Sequence, residues 1–159
     1  MLQINRMNQA SNQLLRGNTI VKNLPIKLVG EVIRGFGRGS KDLGCPTANI
    51  PIEPYEELLE QYPTGVYYGT GSFSDKSFSS DTFAIAMSIG WNPYFKNEKK
   101  TIEAHFIHNF GTDFYGKVIN LDILGYIRQE LNFNSLGNLP FFFHLFFHNN
   151  SSWQTFKRN

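Results

Sequence analysis

From Phe83 to Gly90 the chain alternates without a break. Phe83, Ile85, Met87 and Ile89 are bulky, while Ala84, Ala86, Ser88 and Gly90 are small. A period of two marks a strand with two faces, and a face of small residues implies close packing against it. Thr101 to His108 alternates in the same way, with Ile102, Ala104 and Phe106 on one side and Thr101, Glu103, His105 and Ile107 on the other. Lys117 to Ile127 repeats the pattern through Ile119, Leu121, Ile123 and Ile127. Ile26 to Arg34 is rich in β-branched and aliphatic residues, and Val66 to Phe73 is strand-like, punctuated by Gly69 and Gly71. These five runs, with a sixth short one after Pro46, predict a mainly β fold: a small antiparallel barrel.

Between the strands the breakers are clear. Pro51 and Pro54 prevent a long element, Tyr55 to Gln61 reads as a short helix, and Tyr62-Pro63-Thr64-Gly65 reads as a turn. Ser74 to Ser80 is polar and reads as a hairpin loop tolerant of change. Gly90 to Lys100 and Phe110 to Gly116 read as connections.

With 159 residues, a single domain with a substantial core is expected. A net charge of +2 is too slight to indicate nucleic-acid binding. One cysteine allows no intrachain disulfide and points to a reducing compartment. No run approaches the roughly 18 apolar residues of a membrane span. The first thirty residues carry Arg6, Arg16, Lys22 and Lys27 but no acid, faintly like a transit peptide, and read chiefly as a disordered extension.

The candidate chemistry starts at Gly35-Phe36-Gly37-Arg38-Gly39-Ser40-Lys41, followed by Gly44-Cys45-Pro46-Thr47-Ala48-Asn49. Alternating glycines expose backbone amides to anions, and Lys41 adds a point charge. Thr47 and Asn49, two apart in an extended segment, can present oxygens to one hard cation. Phosphate and a divalent ion are the first hypothesis, a plain turn the alternative. Neither a Walker A loop nor G-x-G-x-x-G fits, because Ser40 precedes Lys41 and occupies the third glycine's place. Glu103 lies mid-strand, where glutamate is disfavoured, and becomes a general base if it faces a pocket rather than solvent. His105, His108, His144 and His148 lack the companions of a zinc site and read as structural.

Taken together, these blocks resemble riboflavin kinase of the eukaryotic monofunctional type. The similarity rests on the glycine stretch, Pro46-Thr47-Ala48-Asn49, Ser88-Ile89-Gly90-Trp91-Asn92-Pro93-Tyr94, Thr101-Ile102-Glu103-Ala104-His105, Asp113-Phe114-Tyr115-Gly116 and Gly125-Tyr126-Ile127-Arg128. It covers residues 25–136, leaving 1–24 as a flexible extension and 137–159 as an atypical Phe-rich tail. The resemblance implies a six-stranded antiparallel Greek-key β-barrel and transfer of the ATP γ-phosphoryl group to the 5′-hydroxyl of riboflavin, giving FMN and ADP. It implies Glu103 as catalytic base and Thr47 and Asn49 as ligands of Mg²⁺, with Zn²⁺ or Mn²⁺ as alternatives. ATP contacts would come from Gly35, Gly37, Arg38, Gly39, Lys41, Thr47, Phe106, His108 and Tyr115. Flavin contacts would come from Arg128, Leu131, Phe133 and Leu136. It further implies a cytoplasmic monomer, with mitochondria as the alternative destination, and no nucleic-acid partner or membrane span. Strict alternation sets His108 on the face opposite Glu103, so the strand is expected to end or bulge between them.

The chain departs from the family pattern at Gln129, where proline is usual, and at Leu131, where a polar residue is common. From Gly137 the expected amphipathic helix gives way to Gly137-Asn138-Leu139-Pro140 and five phenylalanines between Phe141 and Phe147. The tail reads as an altered end of the reading frame. An alternative function follows from it: a catalytically impaired flavin- or nucleotide-binding barrel. A third reading, a barrel binding single-stranded nucleic acid through Trp91 and Tyr94, is opposed by the joint presence of Thr47, Asn49 and Glu103.

Overall fold

The computed structural model describes residues 21–35, 47–91 and 99–129. Among the described residues six strands follow one another as β1 (Ile26–Glu31), β2 (Ala48–Ile50), β3 (Gly65–Phe73), β4 (Thr82–Trp91), β5 (Lys100–Phe106) and β6 (Val118–Arg128). A 3₁₀ turn (Glu53–Tyr55) leads into one short helix, α1 (Glu56–Glu60), between β2 and β3. All ladders are antiparallel and the strand order is β1-β6-β3-β4-β5-β2. The sheet curls until its edges approach, and the Ile33 N–H donates to the Asn49 carbonyl at 2.9 Å across the seam. The expected mainly β fold of six antiparallel strands is present, the sheet forming a curled half-barrel.

The alternating runs supply the core. Leu28, Ile85, Met87, Ile89, Ile102, Ile119, Leu121 and Ile123 point inward and are buried. Gly69 and Gly71 serve close approach: a Cβ would stand 2.0 Å from the Asp122 carbonyl at the first and 2.7 Å from the Phe106 ring at the second. Gly65, at φ +153°, packs so closely on β6 that a Cβ would lie 2.4 Å from the Arg128 carbonyl oxygen. At one end of the barrel Phe73 centres an aromatic cluster, with Phe78, Phe110 and Phe114 rings 4.6, 5.3 and 5.2 Å away.

Segment 53–62 is tied across the other end. Lys99 pairs with Glu53 and Glu56, and the Lys100 ammonium donates to the Leu59 and Tyr62 carbonyls at 2.7 and 3.1 Å. The Lys100 ammonium thus lies at the C-terminal end of helix α1, the end that favours a cation, and shares the Leu59 carbonyl with the Tyr62 N–H at 3.2 Å. The hairpin loop after β3 is better anchored than its polarity implies. Lys117 pairs with Asp75 at 2.7 Å, and Phe78 enters the aromatic cluster. The expected extension 1–24 lies almost wholly, and the Phe-rich tail 137–159 entirely, outside the described residues.

Candidate active site

Glu103 faces outward, as the alternation of β5 requires, because Ile102, Ala104 and Phe106 take the core side. Its neighbours are set by register. On one side β2 places Asn49 directly opposite Glu103, and on the other β4 places Ser88 opposite it. Directly opposed residues share a face, so the carboxylate sits between an amide and a hydroxyl. Thr47, two residues before Asn49, falls on the same face and its hydroxyl donates to Glu103 Oε2 at 3.3 Å. At that distance the bond is weak, leaving the carboxylate available to another donor.

Gly35 closes this corner from the β1 side. A Cβ there would lie 2.5 Å from Asn49 Nδ2 and 3.0 Å from Cγ. The start of the glycine stretch thus rests against the Asn49 side chain, in space that only hydrogen leaves open. Gly37, Arg38, Gly39 and Lys41 lie outside the described residues.

Beside Thr47 opens a cleft of about 900 Å³, walled by Val32, Thr47 and Ala48 and by the segment His105–Tyr115. Its position follows from how β5 ends. The ladder with β4 stops at Phe106, the Ile107 N–H still reaches the Ala84 carbonyl, and the chain then bends away. His108 therefore escapes the alternation and sits on the cleft wall between Phe83 and Phe110, with ring centroids 4.6 Å from each. Phe106 is 4% exposed, so it contributes mainly floor; Phe83, Phe110 and Phe114 rings lie 5.6–6.2 Å from it. Tyr115 forms the rim, half-exposed, and the Arg34 guanidinium stacks 4.7 Å from its ring centroid. Gly111, at φ +68°, turns the loop where nothing crowds it.

The position of Arg128 is also set by register. Asn49, Glu103, Ser88, Val66 and Arg128 stand opposite one another through four successive ladders. Three strand spacings separate Glu103 from Arg128, about 14 Å along the curved sheet. Arg128 is 6% exposed and its Nη1 donates to the Gln129 carbonyl at 2.9 Å. Leu131, Phe133 and Leu136 lie outside the described residues.

The structure therefore brings Gly35, Thr47, Asn49 and Glu103 together, joins them to a cleft containing Phe106, His108 and Tyr115, and sets Arg128 apart. Sequence reasoning did not find Ser88 beside Glu103, nor Asn109, Thr112 and Asp113 on the cleft wall. The outward small residues of β4 marked the first, Asp113 fell within a block shared with the family, and nothing local marked Asn109 or Thr112. Threonine hydroxyl, asparagine amide and glutamate carboxylate form an oxygen-only donor set of the kind a hard cation takes. Among the described residues no three His, Cys, Asp or Glu side chains gather as a metal cluster. No helix among them is long and apolar enough to cross a membrane.

Residues 22–140 match the flavokinase family, described as riboflavin kinase. The chain is 50% identical to riboflavin kinase of Mus musculus over 119 residues, covering 75% of this chain and 74% of that protein. It is 49% identical to riboflavin kinase of Homo sapiens over the same length and coverage. The crystal structure of riboflavin kinase from Trypanosoma brucei superposes with a TM-score of 0.59 at 30% identity, covering 87% of this chain and 88% of that one. With an outward glutamate, a Thr-x-Asn strand and an adjoining cleft on a barrel of this topology, the chain belongs to the riboflavin kinase family.

Proposed function

We infer that this chain phosphorylates riboflavin at the ribityl 5′-hydroxyl with ATP, giving FMN and ADP. The observation that carries this reading is the meeting of Thr47, Asn49 and Glu103 on one outer face beside the cleft. Phosphoryl transfer asks little covalent chemistry of the protein; it asks for positioning and neutralised charge.

The cleft takes the nucleotide, its base end against His108, Phe106 and Tyr115. The triphosphate extends past Thr47 toward the glycine stretch, where the amides from Gly35 to Gly39, with Arg38 and Lys41, offset its charge. Thr47 and Asn49 would hold a divalent cation, Mg²⁺ by the hardness of the donors, which would supply neutralisation of the phosphate charge. The flavin occupies the side toward Arg128, with Leu131, Phe133 and Leu136 as its further contacts, and its ribityl chain leads back to Glu103. Glu103 accepts the 5′-hydroxyl proton as that oxygen bonds to the γ-phosphorus. The bond from the γ-phosphorus to the bridging oxygen breaks, and ADP leaves with the electron pair. Residues 25–136 form the catalytic unit, acting as a cytoplasmic monomer.

The test is direct. Purified protein is incubated with riboflavin and Mg-ATP, and the flavins are separated by chromatography. FMN and ADP appearing in equal amounts is the expected result; riboflavin recovered unchanged overturns the assignment.

A further inference from the structure

We propose that Tyr55 is a positioning residue for the metal-and-phosphate half of the site, acting by holding the seam between β1 and β2. The proposal rests on the reading of Asn49 as a metal ligand.

Its basis is the hydrogen-bond parity of β1. Val32 bonds toward β6, exchanging bonds with Lys117 and Gly116, whereas the Ile33 N–H bonds toward β2, at Asn49. Odd-numbered residues of this segment therefore point their backbone groups at the seam. Continued from the Ile33–Asn49 bridge, an antiparallel register would pair Glu31 with residue 51 and Val29 with residue 53. Pro51 has no N–H, so the ladder fails at the first step. β2 ends at Ile50, and the chain turns into the 3₁₀ segment Glu53–Tyr55.

That turn delivers a substitute. The Val29 N–H donates to the Tyr55 hydroxyl at 2.6 Å, and the same hydroxyl donates to the Val29 carbonyl at 2.7 Å. A phenol is both donor and acceptor, so one oxygen fills both places that the backbone of residue 53 would have taken. The tyrosine ring packs against the core, which fixes the hydroxyl in position.

The seam is thus fastened at two points, Ile33–Asn49 and Val29–Tyr55, four residues apart on β1 or about 13 Å. Asn49 lies at the first of them, on a strand only three residues long, with Gly35 against its side chain. Releasing the second fastening lets β1 move relative to β2, and that motion shifts the Ile33 bridge and Gly35 against the Asn49 side chain.

Tyr55→Phe removes the hydroxyl and keeps the ring. Three quantities are read on the full chain: amide hydrogen exchange at Val29 and Ile33, the Mg²⁺ activation constant at saturating ATP, and the KM for riboflavin. Loss of two hydrogen bonds is expected to speed exchange at both amides by roughly tenfold and to raise the Mg²⁺ constant by about three- to tenfold. The riboflavin KM is expected to stay within about twofold, since the acceptor side lies across the sheet. Asn49→Ala is measured in parallel. If it raises the Mg²⁺ constant while Tyr55→Phe changes only exchange, Tyr55 has no positioning role and the proposal is overturned. Unchanged exchange in Tyr55→Phe overturns it too. If Asn49→Ala leaves the Mg²⁺ constant unaltered, the metal assignment itself fails.

Discussion

Gly35→Ala separates the glycine stretch as a site component from the glycine stretch as a turn. The added Cβ would stand 2.5 Å from Asn49 Nδ2, and ordinary contact begins at 3.4 Å, so the amide must retreat by about 0.9 Å. Gly35 is not in the left-handed region, and alanine is compatible with its backbone. By itself such a change stabilises a chain by about 0.4–1 kcal/mol through the unfolded state. The fold should therefore hold, with a Tm within a few degrees of wild type. The site should not. A misplacement of about 1 Å in a positioned group costs on the order of 10²-fold in rate, close to 2.7 kcal/mol. The assay is initial-rate FMN formation across a range of Mg²⁺ concentrations, with thermal melting on the same samples. The expected result is a loss of about two orders of magnitude in kcat/KM, partly recovered by excess Mg²⁺, without loss of stability. A variant that melts normally and turns over within about threefold of wild type would refute a role for the contact between Gly35 and Asn49.

Glu103→Gln keeps shape and removes the proposed proton acceptor; turnover should fall by about 10²–10⁴-fold while ATP affinity, measured by calorimetry, changes little. Lys100→Met removes the cation from the Leu59 and Tyr62 carbonyls and should cost about 1–3 kcal/mol in denaturant unfolding, with activity preserved at low temperature. Asp75 is held below its ordinary value of 3.8 by hydrogen bonds from Lys117 and Ser77, so its stabilising contribution is present above about pH 4 and lost as the pH falls through its lowered value. The Tm difference between wild type and Asp75→Asn should accordingly shrink on acidification; a difference that widens would reverse the sign. Burial pushes the Tyr67 phenol above its ordinary value of 10.0, with Tyr126 and Tyr62 adding to the shift. Its contribution is therefore full below pH 10 and lost above it, and alkaline melting should show less pH dependence in Tyr67→Phe than in wild type.

Most of the fold was legible because alternation is a local signal. The period of two in β4, β5 and β6 gave their faces, and with them the outward aim of Glu103 and the inward aim of Ile102 and Ala104. The spacing of Thr47 and Asn49 likewise gave a shared face. Partnership was not legible. That Asn49 stands opposite Glu103, or that Gly35 meets the Asn49 amide, depends on pairing between segments more than fifty and about fourteen residues apart, which one sequence does not encode locally. The end of β5 is a related case. Ile107 and His108 continue the alternating pattern, but Ile107 makes the last backbone bond to β4 and the following turn is drawn over by Phe110 and Phe114 entering the aromatic cluster. Packing at the barrel end overrode the period, and the cleft exists because of it.

The small face of β4 shows the two kinds of information meeting. Ala84, Ala86, Ser88 and Gly90 implied that something packs on the outer side, and Ala86 is indeed 2% exposed although it does not face the core. Its ladder neighbours there are Tyr68 and His105, and one step along are Val66 and Glu103, flanking Ser88. A bulky residue on this central strand would stand between the Glu103 side and the Arg128 side of the sheet. Small ones let Val66, Ser88 and Glu103 lie close together on one face, which under the proposed function runs between the proton acceptor and the flavin side. The same enclosure keeps Glu103 and Ser88 only partly exposed, which strengthens charge–charge and hydrogen-bond interactions at the point of transfer. The pattern that first marked β4 as a strand thus also shapes the outer face on which the proposed two-substrate site would lie.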